Sequence, residues 1–313
     1  MRLPSAVLFL LAAITISASA ESVIVLDGPA APEHVGYYAA EVGNLYHDRN
    51  IEASLVPGSS ARSALQLVAS GKADAAVVSA DEVVLAQSNG LNVVAVFAPL
   101  QSSTQVVMVH RSSGMRRLGE LEGVGLSWDQ DDAVSQFLRR RLPLKNVRFL
   151  AADTTIAGFL ADTTIAQSGS CLVEELLAHE AGAHPLPLYV SETGFNPYGG
   201  VLVVAGKSLK DRPDWVRDLV WASQAGWARY LMHPQAAEAR LHAANPKLSS
   251  TLLIQAHQEL MRHTQTEDLV EISLGGMTSR RWGLLVRQME DMSVIRRGRI
   301  DPTKVWTGRF LPR

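Results

Sequence analysis

The chain has 313 residues, 47% of them hydrophobic and 19% charged, which supplies apolar material for a packed core and argues against a disordered polymer; that length favours two domains. With 29 Lys and Arg against 31 Asp and Glu, a formal net charge of −2, there is no basic excess to neutralise a phosphate backbone, and a nucleic-acid partner is not expected. The lone cysteine, Cys171, excludes an intramolecular disulfide and leaves too few sulfurs for a cysteine-rich zinc site.

In chain order the first element is an export signal. Arg2 supplies positive charge, residues 6–16 form an unbroken apolar run, and Ala18-Ser19-Ala20 offers the small residues that a signal peptidase accepts. Residues 1–20 are expected to be removed, leaving Glu21 first. The apolar run is shorter than the roughly 20 residues of a spanning helix, and the cut lacks the cysteine of a lipoprotein.

Runs at 23–26, 51–56, 73–78 and 93–97 read as buried strands. Between the second and third, Ala61, Ala64, Leu65 and Val68 recur at helical spacing, with Ser60 as N-cap and Gly71 as stop. Asp81 is expected to cap the next helix, whose inner face carries Val84 and Leu85 and which ends at Asn89-Gly90. This alternation predicts a parallel α/β sheet. Strands at 106–109, 124–126, 147–150 and 186–190, with helices at 132–141 and 174–180, predict a second α/β lobe. After a strand at 201–204 the pattern turns helical to about residue 292. Val216, Val220, Ser223, Trp227 and Leu231 share one face, and Leu252, Ile254, Leu260 and Met261, then Trp282, Leu285 and Met289, continue it. So long a helical part must pack on an earlier sheet. The first lobe is therefore expected to be discontinuous, 21–106 plus 201–313, around a second lobe at 107–200, with crossover strands near 105–110 and 196–203.

No catalytic apparatus stands out. His179 and His184 are five apart, pointing about 140° apart on a helix, and Gly182 and Pro185 end the helix between and after them. Gly169-Ser170-Cys171 lacks the second glycine of a nucleophile elbow, and a lone buried cysteine is commonly an apolar filler. Neither a dinucleotide fingerprint around Gly123-Val124-Gly125 nor a phosphate-binding loop is present. The repeated ADTTIA at 152–157 and 161–166 reads as a local duplication, far below the period of a repeat architecture. Small polar residues do stand where strands give way to helices: Gly58-Ser59-Ser60, Ser79-Ala80-Asp81 and Ser127-Trp128-Asp129, with Gln101 after Pro99-Leu100. Singly these are helix caps; together they suggest a cleft at the carboxyl ends of parallel strands.

Glu33-His34-Val35-Gly36-Tyr37-Tyr38-Ala39-Ala40, Val56-Pro57-Gly58, LVASGKAD at 67–74 and GLNVVAVFAPLQ at 90–101, in this order and spacing, resemble bacterial ABC-transporter solute-binding proteins of the nitrate/sulfonate/thiamine-pyrimidine class. FLAD at 159–162, Asn196-Pro197-Tyr198, Gly226-Trp227, Asn245-Pro246, Gly276-Met277 and Arg281-Trp282 extend the resemblance over nearly all of the mature chain. It implies a type II periplasmic-binding fold: two α/β lobes, each a mixed sheet flanked by helices, joined by two crossover strands and closing on a small solute. The implied partners are that solute and an inner-membrane ABC permease with its cytoplasmic ATPase. The implied protein is a periplasmic monomer without catalysis, cofactor or metal. Carried over residue by residue, the resemblance puts His34, Tyr37, Tyr38, Gly58, Ser59, Ser60, Ser79 and Gln101 on the first lobe's side of the cleft. Trp128, Glu174 and Tyr198 complete the set.

Where many relatives show Tyr-Val-Thr-Ser-Glu-Pro, this chain has Ser170-Cys171-Leu172-Val173-Glu174-Glu175. Glu174 is either a ligand contact or a surface carboxylate, and Tyr37, Tyr38 and Trp128 either stack on a flat ring or pack in the core. A carboxylate in the cleft would repel nitrate or sulfonate and accept hydrogen bonds from an aminopyrimidine. The leading expectation is thus a pyrimidine-like nutrient, with an oxyanion held by serine hydroxyls and helix N-termini as the alternative. Pyrimidine-synthesising enzymes of the same fold carry a cysteine-rich motif, which Cys171 alone does not supply. An exported sensor with the same two lobes is a further alternative.

Overall fold

The computed structural model describes residues 21–129, 132–153, 155–265 and 273–312, so the expected signal segment lies outside the described residues. Short β-branched runs and the helices between them build the first sheet: β1 (Ser22–Leu26), α1 (Val35–Val42), β2 (Ala53–Val56), α2 (Ala61–Ser70), β3 (Ala75–Val78), α3 (Ala80–Ser88) and β4 (Val93–Phe97). A second series follows: β5 (Gln105–His110), β6 (Gly125–Ser127), α4 (Ala133–Arg141), β7 (Arg148–Leu150), α5 (Ala157–Ala161), β8 (Ile165–Ser170), α6 (Glu174–Glu180) and β9 (Pro185–Tyr189). The chain then makes β10 (Val201–Ala205) and the helices α7 (Ser208–Asp211), α8 (Pro213–Met232), α9 (Gln235–Ala244), α10 (Ser250–Thr264) and α11 (Ser279–Asp291). None of the described helices is long and apolar enough to cross a membrane.

The sheet orders are β2-β1-β3-β10-β4 and β7-β6-β8-β5-β9. Each has three parallel strands on one side and, in the fourth position, an antiparallel strand that arrives directly from the other lobe. The first sheet is therefore mixed rather than purely parallel, because β10 inserts between β3 and β4 with Leu202 opposite Val77 and Phe97. Both crossings lie mainly ahead of the strands expected to carry them. β5 pairs only within the second sheet and β10 only within the first, and the chain passes over at 98–104 and 190–200. Pro99 and Pro197 lack the N–H that a ladder needs, so these segments share a single backbone bridge, Leu100 N to Gly199 O at 3.4 Å and Gly199 N to Leu100 O at 3.0 Å, beside the bond from Ser103 N to Asn196 Oδ1 at 2.8 Å.

β8, near the centre of the second sheet, was not expected, since its IAQSGS sequence carries no hydrophobic pattern. Its buried Gln167 is accommodated because the side-chain amide donates to Thr155 O at 2.5 Å. The two copies of ADTTIA use their aspartates alike. Asp153 accepts from the amide and hydroxyl of Thr155, and Asp162 from those of Thr164, all at 2.8 Å. One copy leads into α5 and the other into β8.

Local signals act mostly as the residues suggest. Ser60 accepts from Ser63 N at 3.2 Å, and Gly71 ends α2 at φ +77°. α3 instead starts at Ser79, and Asp81 sits inside its first turn, buried. Along α8, Val216, Val220, Ser223 and Trp227 are buried and Leu231 is half-buried. On α10, Leu252 and Leu260 are buried but Ile254 and Met261 are exposed, because the inward face runs through Leu253, Ala256 and His263. α1 and α8 touch through glycines. A Cβ on Gly36 would sit 2.1 Å from the Trp227 ring, and one on Gly226 would sit 2.4 Å from Gly36 O. This close approach seats Trp227 edge-on to Tyr37, with centroids 6.1 Å apart, and to Tyr230, at 6.2 Å.

Candidate functional site

The carboxyl ends of β1, β3, β6 and β8 open on one cleft of about 570 Å³, walled by both lobes and by the crossing segments. The turn after β1 supplies Asp27, Glu33 and His34. Glu33 joins the two lobes. Its Oε1 accepts from the Thr104 hydroxyl at 3.2 Å and from the Ser170 hydroxyl at 2.5 Å, so one carboxylate ties the first lobe to a crossing segment and to the second lobe. Its Oε2 is buried without a hydrogen-bond partner among the described residues.

His34 is oriented from both sides. Ala31 N donates to Nδ1 at 3.2 Å, which leaves the proton on Nε2, and Nε2 donates to Asp27 Oδ1 at 2.9 Å. From the second lobe, Trp128 Nε1 donates to Asp132 Oδ2 at 2.5 Å, and Ser135 N donates to Oδ1 at 2.5 Å, which also caps α4. Glu174 folds back so that Ser170 N donates to its Oε2 at 2.8 Å. Burial raises the Glu174 carboxyl and the Glu33 charge adds to this, while the amide bond from Ser170 opposes it. The titratable lining thus comprises Asp27, Glu33, Asp132 and Glu174 against Lys247 and the paired His34.

Burial, reinforced by the charges of Asp81 and Asp129 and opposed by the bonds from Ser135 and Trp128, pushes Asp132 up to about 7. The folded chain therefore holds a proton here that the unfolded chain releases near pH ~4. This group's contribution to stability is fully present below that unfolded value and is lost as pH rises through about 7. Asp132→Asn should flatten the fall in melting temperature over that window relative to the parent protein. An unchanged slope in calorimetric scans would remove Asp132 as its source.

Of the residues expected at the site, His34, Ser79, Trp128, Glu174 and Tyr198 line the cleft. Tyr198 shows only part of its ring, since its hydroxyl accepts from Thr278 N at 3.0 Å and the Arg281 guanidinium covers it at 3.8 Å. Tyr37, Tyr38, Gly58, Ser59, Ser60 and Gln101 lie elsewhere. Tyr37 is wholly buried and donates to Gly200 O at 2.6 Å, holding the second crossing; Tyr38 is buried beneath Arg240. Gly58 lies against β1, where a Cβ would come within 2.0 Å of Leu26 O, and Ser59 and Ser60 are exposed because β2 is an edge strand. Gln101 is spent inside the molecule: Nε2 donates to Ala98 O at 2.8 Å and Gly276 O at 3.0 Å, and Oε1 accepts from Arg281 at 3.2 Å. Asp27, Glu33, Thr104, Asp132, Ser170 and Lys247 were not foreseen. Glu33 stood within the resembling stretch beside His34, which was the available signal.

Residues 31–237 match the NMT1/THI5-like family. The chain belongs to that family. No curated protein matches the chain by sequence. Among solved structures, this NMT1/THI5-like chain is similar to the periplasmic aliphatic sulphonate binding protein SsuA of Escherichia coli, with TM-score 0.72, 13% identity and 95% of each chain covered. It is also similar to the alkanesulfonate-binding protein SsuA of Xanthomonas axonopodis pv. citri bound to MOPS, with TM-score 0.69, 12% identity and coverage of 92% and 98%. The desulfurization enzyme DSZB shares the architecture at TM-score 0.64, 13% identity and coverage of 93% and 97%. These likenesses establish the two-lobed periplasmic-binding fold.

Proposed function

We propose that the chain is the solute-binding receptor of an ABC importer, with residues 107–200 and the remainder closing on a small molecule that is then passed to an inner-membrane permease. The observation that carries this reading is Glu33, which lines a cleft built from both lobes and whose Oε2 is buried without a hydrogen-bond partner among the described residues. Leaving such an atom unsatisfied costs about 1–3 kcal/mol, which a donor on the solute would relieve. Family membership and the fold of the SsuA proteins support the reading, and the export signal supports a periplasmic location. It is the reading of a binding protein; because DSZB has the same fold, chemistry stays within the architecture's range, and turnover of a bound solute would reveal it.

Two solute classes compete. The carboxylates of Asp27, Glu33 and Glu174 favour a donor-bearing flat molecule such as an aminopyrimidine, through charge-assisted hydrogen bonds, and oppose an anion. An alkanesulfonate is favoured by the names of the similar SsuA structures and by Lys247 with the hydroxyls of Ser79 and Ser103; the comparisons lean towards it. Calorimetric titration of the parent protein and Glu174→Gln with an aminopyrimidine thiamine precursor, taurine and nitrate separates them. For the heterocycle the variant should bind several-fold more weakly, having lost a charge-assisted bond. For an oxyanion it should bind as well or better, and unchanged affinity for every solute removes Glu174 from the site.

A further inference from the structure

Outside the cleft, three side chains with metal-binding chemistry converge at the junction of the lobes. Cys171, in the turn between β8 and α6, is buried with its Sγ 3.4 Å from His263 Nε2. Glu259, one helical turn before His263 on α10, places Oε1 3.5 Å from the same nitrogen. All three potential ligand atoms lie within 4.8 Å of one another. With ligand bonds of about 2.3 Å to sulfur and 2.0–2.1 Å to nitrogen and oxygen, a tetrahedral zinc ion separates its S and N ligands by about 3.5 Å and its N and O ligands by about 3.4 Å. The two edges to His263, 3.4 Å and 3.5 Å, match those figures, and the third is no longer than 4.8 Å.

The surroundings hold these groups in place. His263 Nδ1 lies 3.1 Å from Ser102 O, and donation there leaves the Nε2 lone pair facing a thiol and a carboxylate oxygen. A carbonyl that fixes the second ring nitrogen is the usual partner of a metal-binding histidine. The Tyr189 hydroxyl donates to Glu259 Oε1 at 3.2 Å, and Cys171 N donates to Thr104 O at 2.9 Å. The thiol proton lies between Sγ and the Nε2 lone pair, and a cation that displaces it gains all three donor atoms at once; the sulfur selects a borderline-soft ion.

The geometry points to a zinc site formed by Cys171, Glu259 and His263, pinning α10 and the β8–α6 turn to the first crossing segment. The ion binds as the Cys171 thiol gives its proton to solvent, and water takes the fourth position. The site adjoins the solute cleft through Ser170 and Thr104, but none of its three residues lines the cleft, so its test needs no solute. Protein stripped with a chelator is titrated with Co²⁺ alone and then Zn²⁺ alone. One equivalent of Co²⁺ should give the visible absorption of a four-coordinate ion with a near-ultraviolet thiolate charge-transfer band, and Zn²⁺ should bleach both. Cys171→Ser should abolish the charge-transfer band and weaken zinc binding at least about tenfold. Glu259 is partly exposed, so Glu259→Gln keeps the test open if Cys171→Ser does not fold; it should retain the band and bind more weakly. Absence of Co²⁺ binding, a spectrum without the thiolate band, or a parent-like spectrum in Cys171→Ser overturns the assignment.

Discussion

Glu33→Gln should weaken binding of a donor-bearing solute by about 2 kcal/mol or more, roughly thirtyfold, while leaving the melting temperature of the solute-free protein nearly unchanged. The change is isosteric. The amide oxygen can still accept from Thr104 and Ser170, the bonds that join the lobes, while an NH₂ group takes the place of the unpartnered Oε2. A solute N–H that met a carboxylate oxygen would then meet another donor. For an anionic solute the sign reverses, since a buried negative charge is removed and a donor appears. Isothermal titration measures both. A variant that binds the same solute with parental affinity would take Glu33 out of the contact surface.

Trp227→Ala should be the most destabilising substitution in the first lobe, costing about 3–5 kcal/mol and lowering the melting temperature on the order of 10 °C. The indole is fully buried, edge-on to Tyr37 and Tyr230, and fills the space that Gly36 leaves open between α1 and α8. Those helices cannot collapse onto the void, because Gly226 already brings their backbones into contact. The loss also reaches the hinge, since Tyr37 holds Gly200 through its hydroxyl. A calorimetric loss below about 1 kcal/mol would contradict this packing.

Much of the fold is legible because strands buried on both faces are written as β-branched runs. β1, β3, β4 and β10 read directly from their valines, leucines and isoleucine. β8 is hidden because its residues near the site are polar and small, with Gln167 and Ser170 serving buried hydrogen bonds rather than hydrophobic contact. The cleft is partly legible for the same topological reason. Residues after central strands, such as Ser79 and Trp128, fall at its rim, whereas Gly58 to Ser60 follow β2, whose edge position depends on a strand order that local pattern does not encode. Tyr37 and Tyr38 look like stacking groups in the sequence, but the helix they share with Gly36 turns both rings into the core. Cys171 reads as filler until α10 brings Glu259 and His263 to it from about 90 residues downstream, a long-range contact of the kind only folding creates.

In the proposed receptor the interlobe cleft captures a small solute through Glu33. Native mass spectrometry of the exported protein, purified without refolding beside its Glu33→Gln variant, tests it most directly. The expected result is one noncovalent small molecule on each parent chain and a strongly reduced load on the variant. Equal occupancy of the two proteins, whether full or empty, would contradict it.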